Sequence, residues 1–126
     1  MLQATKLNIF YGDSHVVRDV SFSIPEGKII CLMGRNGVGK TTVMKTLMGL
    51  LTAKSGSIAL GGKDITALRP YSRARLGIGY CPQGREIIPS LTVEENLLIG
   101  LEAKSNGSRA IPPRIFELFP VLKTML

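Results

Sequence analysis

The chain has no tryptophan, one histidine and two cysteines among 126 residues, and aromatics make up only 6% of it. Cys31 and Cys81 each lie in an apolar stretch, with no second cysteine or histidine at metal-ligand spacing. That argues against a cysteine-held metal, and both thiols are expected as small reduced residues in buried strands. No apolar run approaches the roughly 20 residues needed to cross a bilayer. The N-terminal MLQATKLNIF lacks the charged-then-apolar build of a signal peptide. Low-complexity tracts and internal repeats are also missing. What remains is a chain that is 44% hydrophobic, enough for one domain with a core, and expected to be soluble and intracellular.

Acidic residues are in short supply: 9 against 16 basic ones, for a net charge of +7. Such an excess suits a nucleic-acid surface, an anionic membrane surface or a nucleotide pocket. The basic residues are scattered, without a block of five and without aromatic interleaving, which favours an ordinary solvated surface over a nucleic-acid face.

Period-two patterns in KLNIFY and VVRDVSFSI, separated by GDSH, predict two strands. After the Pro25-Glu26-Gly27 turn, IICLM reads as a short strand covered on both faces. TTVMKTLMGLL switches to helical spacing, with Val43, Leu47 and Leu50 on one face and Met44, Met48 and Leu51 beside it. KSGSIALGGKDI predicts a further strand between glycine turns, and Pro70 starts a short helix through YSRARL. GIGYCPQ reads as a strand entering a loop. Thr92 and Glu95 have capping-box spacing ahead of an apolar helix, and a final helix is expected over PPRIFELFPVLKTML. His15, alone in the early GDSHVV loop, is expected at the surface.

The segment that carries chemistry is GRNGVGKTT, residues 34–42, which fits the phosphate-loop pattern Gly34-x-x-x-x-Gly39-Lys40-Thr41. Gly34, Asn36, Gly37, Val38 and Gly39 supply backbone for a nest whose amides converge on phosphate oxygens. The helix that follows points its positive dipole end at the same anion. Lys40 reaches the β- and γ-phosphates, the Thr41 hydroxyl can ligate Mg²⁺, and Thr42 can add a hydrogen bond. A strand before and an amphipathic helix after are the context this loop requires.

LNIFYG, RDVSFSIPEGKI, GRNGVGKTTVMKTLMGLL, SGSIALGGKDIT and GIGYCPQGREIIPSLTVEENLLIG occur in an order that resembles the N-terminal half of an ABC transporter ATP-binding subunit. GRNGVGKTT with PQGREIIPSLTVEENL is similar to the branched-chain amino-acid and urea/amide uptake group. The resemblance implies an α/β fold: a P-loop NTPase core of ABC type, an N-terminal antiparallel β subdomain and the start of a helical subdomain. Its boundaries are expected at 1–83 for the β subdomain with the phosphate-loop core, and 84–126 for the Q-loop exit and partial helical subdomain. It further implies that Tyr11 stacks on adenine and that Gln83 approaches Mg²⁺ and the attacking water, its neutral amide adding no full charge. Arg85 to Ser90 would then lie near the groove for the membrane partner, although an Arg85–Glu86 surface pair is an equally good reading.

ATP hydrolysis also needs an Asp at the end of an apolar strand and a neighbouring carboxylate to orient water. None of the nine acids forms that pair, and the LSGGQ-like signature and the late switch histidine of the family are missing too. The expectation is a chain cut short, holding Lys40 and Gln83 of the catalytic set and inactive alone, with IICLM short of the flanking strands the family places later. In the full domain the resemblance implies ATP and Mg²⁺ as ligands. The implied partners are membrane-spanning permease subunits and a second ATPase subunit, without nucleic acid, and with a solute-binding protein touched only indirectly. The implied place is the inner face of the cell membrane, peripheral and cytoplasmic. Two other readings stand beside it: a truncated nucleotide-binding module without hydrolysis, and an ABC-type ATPase acting on nucleic acid or ribosomes. The absence of Asn-Lys-x-Asp argues against a GTPase.

Overall fold

The computed structural model describes residues 1–33, 38–82, 84, 87–103 and 110–126. They form two compact units, Met1–Arg73 and Ala74–Leu126.

The first unit is built on a hairpin. β1 (Leu2–Tyr11) and β2 (Ser14–Ile24) pair antiparallel, with Tyr11 opposite Ser14. The two-residue turn between them is possible because Gly12 takes the left-handed φ of 62°. β3 (Ser55–Leu60) pairs with the other edge of β1, and β4 (Lys63–Asp64) with β3, giving an antiparallel sheet of order β2-β1-β3-β4.

β1 does not keep one phase. Ala4 and Leu7 are both buried although three residues apart, because the register shifts between them and Lys6 takes a φ of 47°. Such a bulge re-aims the following side chains. Its backbone is held by side chains: the Lys6 amide donates to Ser21 Oγ at 2.8 Å, and Asn8 Nδ2 donates to the Lys6 carbonyl at 3.2 Å. Gly56 of β3 passes so close that an added Cβ would collide with the Lys6 carbonyl and lie 2.8 Å from Leu7 Cα. Only glycine fits there.

α1 (Val38–Met48) supplies Val43 to a core of Ala4, Leu7, Ile9, Val17, Ile58 and Ile65. The expected apolar stripe is only partly the buried one. Leu50 is 51% exposed, whereas Thr42 and Thr46 are buried. Thr46 tolerates burial because its hydroxyl donates to the Thr42 carbonyl at 2.8 Å, one turn back. The helix ends in a Schellman motif, with Gly49 (φ 89°) donating to the Thr46 carbonyl and Leu50 to the Lys45 carbonyl.

α2 (Pro70–Arg75) starts at its proline as expected. In the second unit α3 (Val93–Ile99) carries the full capping box: the Glu95 amide donates to Thr92 Oγ1 at 3.1 Å and the Thr92 amide to Glu95 Oε2 at 2.7 Å. A 3₁₀ turn, Gly100–Ala103, follows. The expected last helix is two: α4 (Pro113–Leu118) and α5 (Val121–Thr124). Pro120 explains the break, since it lacks an amide donor and pushes Phe119 out of helical geometry, to φ −132° and ψ 73°.

Two expected strands are not there. Ile29–Met33 and the described part of GIGYCPQ belong to no strand, and Cys31 and Cys81 are exposed and free rather than buried. Both segments are apolar enough for a strand, but a strand needs a partner to satisfy its donors and acceptors. Among the described residues none pairs with them. His15 also departs from expectation. It is half-buried, hydrogen-bonded to Asn8 Oδ1 at 2.9 Å and stacked on Phe10 with ring centroids 4.3 Å apart. Among the described residues no helix is long and apolar enough to cross a membrane.

Candidate functional site

The site grows from the start of α1. Gly39, Lys40 and Thr41 lie half-buried in its first turn, and Thr42 is buried just behind them. No acidic residue occupies that turn, while Lys45 stands in the last one. The positive end of the helix dipole is therefore left for an anion from outside the helix, and its negative end is already matched.

Beside this turn lies a groove of about 280 Å³. β2 provides one side, through Val16, Val17, Arg18 and Val20, and Leu32, Gly39, Lys40 and Val43 complete it. Among the described residues two cations and no carboxylate line it, and the rest of that wall is largely aliphatic. An anionic group with an attached flat or apolar body matches that combination, since the cations meet the charge and the valines exclude water from the body. Arg18 is tied back to its own strand, donating from Nε to the His15 carbonyl at 3.4 Å.

The far end of α1 is fixed by Arg73, which is only 3% exposed. Its guanidinium donates to the carbonyls of Thr46 at 2.7 Å, Leu47 at 3.0 Å, Thr66 at 2.9 Å and Leu68 at 3.0 Å. Burial lowers its pKa from the ordinary arginine value. One planar fork thus joins the last carbonyls of α1 to the segment after β4, and the helix cannot shift along its axis without breaking it. In that segment Asp64 accepts from the Thr66 hydroxyl at 2.6 Å and amide at 2.9 Å, which lowers its pKa.

Of the expected site residues, Lys40 and Gly39 line the groove and Thr41 and Thr42 follow in the same turn. Val38 opens the helix. Tyr11 ends β1, is 54% exposed and is not one of the groove's walls. Gly34, Asn36, Gly37 and Gln83 lie outside the described residues, as do Arg85 and Glu86. Sequence reasoning missed Arg18 and the valines of β2. Their period-two spacing signalled a strand but not what that strand faces. It also missed Arg73, for which a basic residue in a short helix gives no signal.

The fit to Mg²⁺ is that of a cation held largely by other ligands. Thr41 offers one hydroxyl, and no cluster of three or more His, Cys, Asp or Glu exists among the described residues. Mg²⁺ ordinarily takes one or two protein oxygens plus phosphates and water, so this sparse set suits it.

Residues 17–120 match the family described as ABC transporter. The chain belongs to that family. A probable branched-chain amino acid transport ATP-binding protein, LivF, of Archaeoglobus fulgidus is 39% identical over 100% of this chain and 54% of its own length. The lipopolysaccharide export system ATP-binding protein LptB of Haemophilus influenzae is 41% identical over 84% of this chain and 44% of its own. A solved ATP-binding subunit of an ABC transporter superposes over 100% of this chain and 52% of its own, with a TM-score of 0.83 at 28% identity. The antiparallel sheet and helix α1 are thus those of an ABC-type cassette, and this member of the family spans about half the length of its relatives.

Proposed function

We propose that the first turn of α1 and its groove form a nucleoside triphosphate site, and that this chain carries the ATP-binding half of an energy-coupling transport subunit. The observation that supports this most is the placement of Lys40 at an acid-free helix start, opening onto a groove walled by β2. In this reading the loop from Gly34 to Gly39, with Asn36, Gly37 and Val38, wraps the phosphates, and Lys40 neutralises the outer two. Thr41 and Gln83 hold Mg²⁺, and Thr42 bonds phosphate. Tyr11 stacks on the adenine, and Arg18 adds a second cation to the groove. Bound Mg²⁺ supplies charge neutralisation on the phosphates, while the residues here orient them.

Within the full domain the proposal is hydrolysis that drives uptake of branched-chain amino acids or urea/amides. That domain would work as a pair of ATPases bound to permease subunits at the inner membrane face. The cargo assignment leans on the LivF relative, whose likeness extends over the whole chain, whereas that to LptB extends over 84%.

Titration of the chain with Mg-ATP is expected to give saturable binding that Lys40→Ala weakens at least tenfold, about 1.4 kcal/mol. Equal binding by the two would count against the site. Phosphate release by the chain alone is expected to stay far below 1 s⁻¹, the lower edge of ordinary turnover. Turnover near that rate would show that the missing carboxylate pair is dispensable.

A further inference from the structure

Four of the five residues from Val16 to Val20 line the groove: Val16, Val17, Arg18 and Val20. A regular strand could not do this, because successive residues point to opposite faces. β2 manages it through two irregularities. Leu7 faces Val20 and Ile9 faces Val17, three steps along β2 against two along β1; Phe10 then faces His15, two steps against one. Extra residues of this kind re-aim their neighbours. Asp19 is the one of the five absent from that wall. It takes a φ of 46°, in the left-handed region where a short polar side chain is best tolerated after glycine.

Asn8, between Leu7 and Ile9 on β1, grips Asp19 at two points. Its Nδ2 donates to Asp19 Oδ1 at 3.0 Å and to the Lys6 carbonyl at 3.2 Å, and its Oδ1 accepts from the Asp19 amide at 3.1 Å. The same oxygen pairs with His15 Nε2 at 2.9 Å, so one side-chain amide makes its full complement of four bonds. The His15 carbonyl in turn accepts from Arg18 Nε. Both ends of the stretch 15–19 are thereby tied to one side chain of β1, and the only acid in that stretch is tied by its carboxylate. Arg18 and Asp19 are neighbours of opposite charge, and an anion in the groove is attracted by the first and repelled by the second. We propose that Asn8 is a positioning residue for the groove: it holds the Asp19 carboxylate off the wall and leaves Arg18 as the charge that β2 presents there. This inference rests on the reading of the groove as a nucleotide site.

The test titrates the 126-residue chain and its variants with Mg-ATP, with Lys40→Ala as the reference for a damaged site. Asn8→Ala is expected to weaken binding at least fivefold, because the Asp19 carboxylate is released beside the phosphates. Adding Asp19→Asn to that variant should bring the affinity back to within twofold of wild type, since the released side chain no longer carries a charge. Asp19→Asn alone is expected to bind no more weakly than wild type. Recovery by removing a charge at a second residue separates placement of that charge from mere bracing of the strand. Hydrogen exchange at Leu7 and Ile9, unchanged from wild type, shows that the core persists in each variant. Where Asn8→Ala fails that check, Asn8→Asp takes its place, keeping the shape and both acceptances but losing the donation to the carboxylate. Its loss of affinity should likewise be recovered by Asp19→Asn, which restores a donor opposite the carboxylate. Wild-type affinity in the Asn8 variant, or a loss that Asp19→Asn does not recover, would overturn this inference while the Lys40→Ala effect leaves the proposed function standing. Wild-type binding no tighter than that of Lys40→Ala would defeat the proposed function and this inference together.

Discussion

Met1–Arg73 and Ala74–Leu126 draw on the same kinds of residue and reach different ends. Ala4, Leu7, Ile9, Val17, Val43, Ile58 and Ile65 are all buried in the first unit. Among the described residues of the second, none is buried, and Ile99, Leu118, Phe119 and Val121 are each at least 45% exposed. The first unit pairs strands far apart in the chain and lays α1 against them, so its apolar faces meet. The second holds helices of 7, 6 and 4 residues. Helices under about 12–15 residues are marginal in water unless packing supports them. The difference lies in non-local pairing, not in composition. Whatever stability the second unit has comes chiefly from local devices such as the Thr92–Glu95 box and Asn96. The Asn96 side chain donates to the carbonyls of Ile88, Leu91 and Thr92 and accepts from the Ile88 amide.

The sharpest way to break this contrast is at Arg73. Arg73→Met removes all four donations to carbonyls, leaving those of Leu47, Thr66 and Leu68 without the guanidinium, while the Thr46 carbonyl keeps the Gly49 amide. The loss expected in the unfolding free energy of the first unit is about 3–5 kcal/mol, read by denaturant titration. A loss below about 1 kcal/mol would mean that α1 is held by its apolar contacts alone.

A smaller effect is expected at Thr92. Replacing it by alanine removes the cap of α3 and should cost about 1 kcal/mol of local stability. Faster hydrogen exchange confined to residues 93–99, with the first unit untouched, is the expected signature. Global destabilisation would show that the two units are not energetically separate.

The smallest effect concerns Asp64. Its folded pKa is lowered by the Thr66 hydroxyl and amide, so its contribution is full above the unfolded value. That contribution is lost as pH falls through the folded one. Thermal midpoints of the wild type and Asp64→Asn should therefore differ slightly at neutral pH and converge in acid. A gap that widens in acid would reverse the sign of the interaction.

The sequence made some features legible and hid others for a physical reason. The hairpin, the start of α2 and the capping box are written in neighbouring residues: Gly12, Pro70, and Thr92 with Glu95. Helix α1 was legible too, through its helical spacing after the glycine-rich stretch. Its buried face was not, because an apolar count passes over Thr42 and Thr46, the latter with its hydroxyl satisfied inside the helix. Ile29–Met33 and the stretch around Cys81 read as strands because their composition suits one. Composition carries no information about whether a partner is present. Arg73 was invisible for a related reason, since its four carbonyl partners come from Thr46, Leu47, Thr66 and Leu68, which only the fold brings together. The two-part final helix could have been read from Pro120 alone.

The central claim is that a nucleoside triphosphate binds where α1 begins, against β2. An amide NMR titration of the chain with Mg-ATP addresses it most directly. The account predicts saturable shifts, largest at residues 16–20 and 39–43, that fade when AMP replaces ATP and are lost in Lys40→Ala. Shifts that never saturate, or that are largest among the helices of Ala74–Leu126, would contradict it.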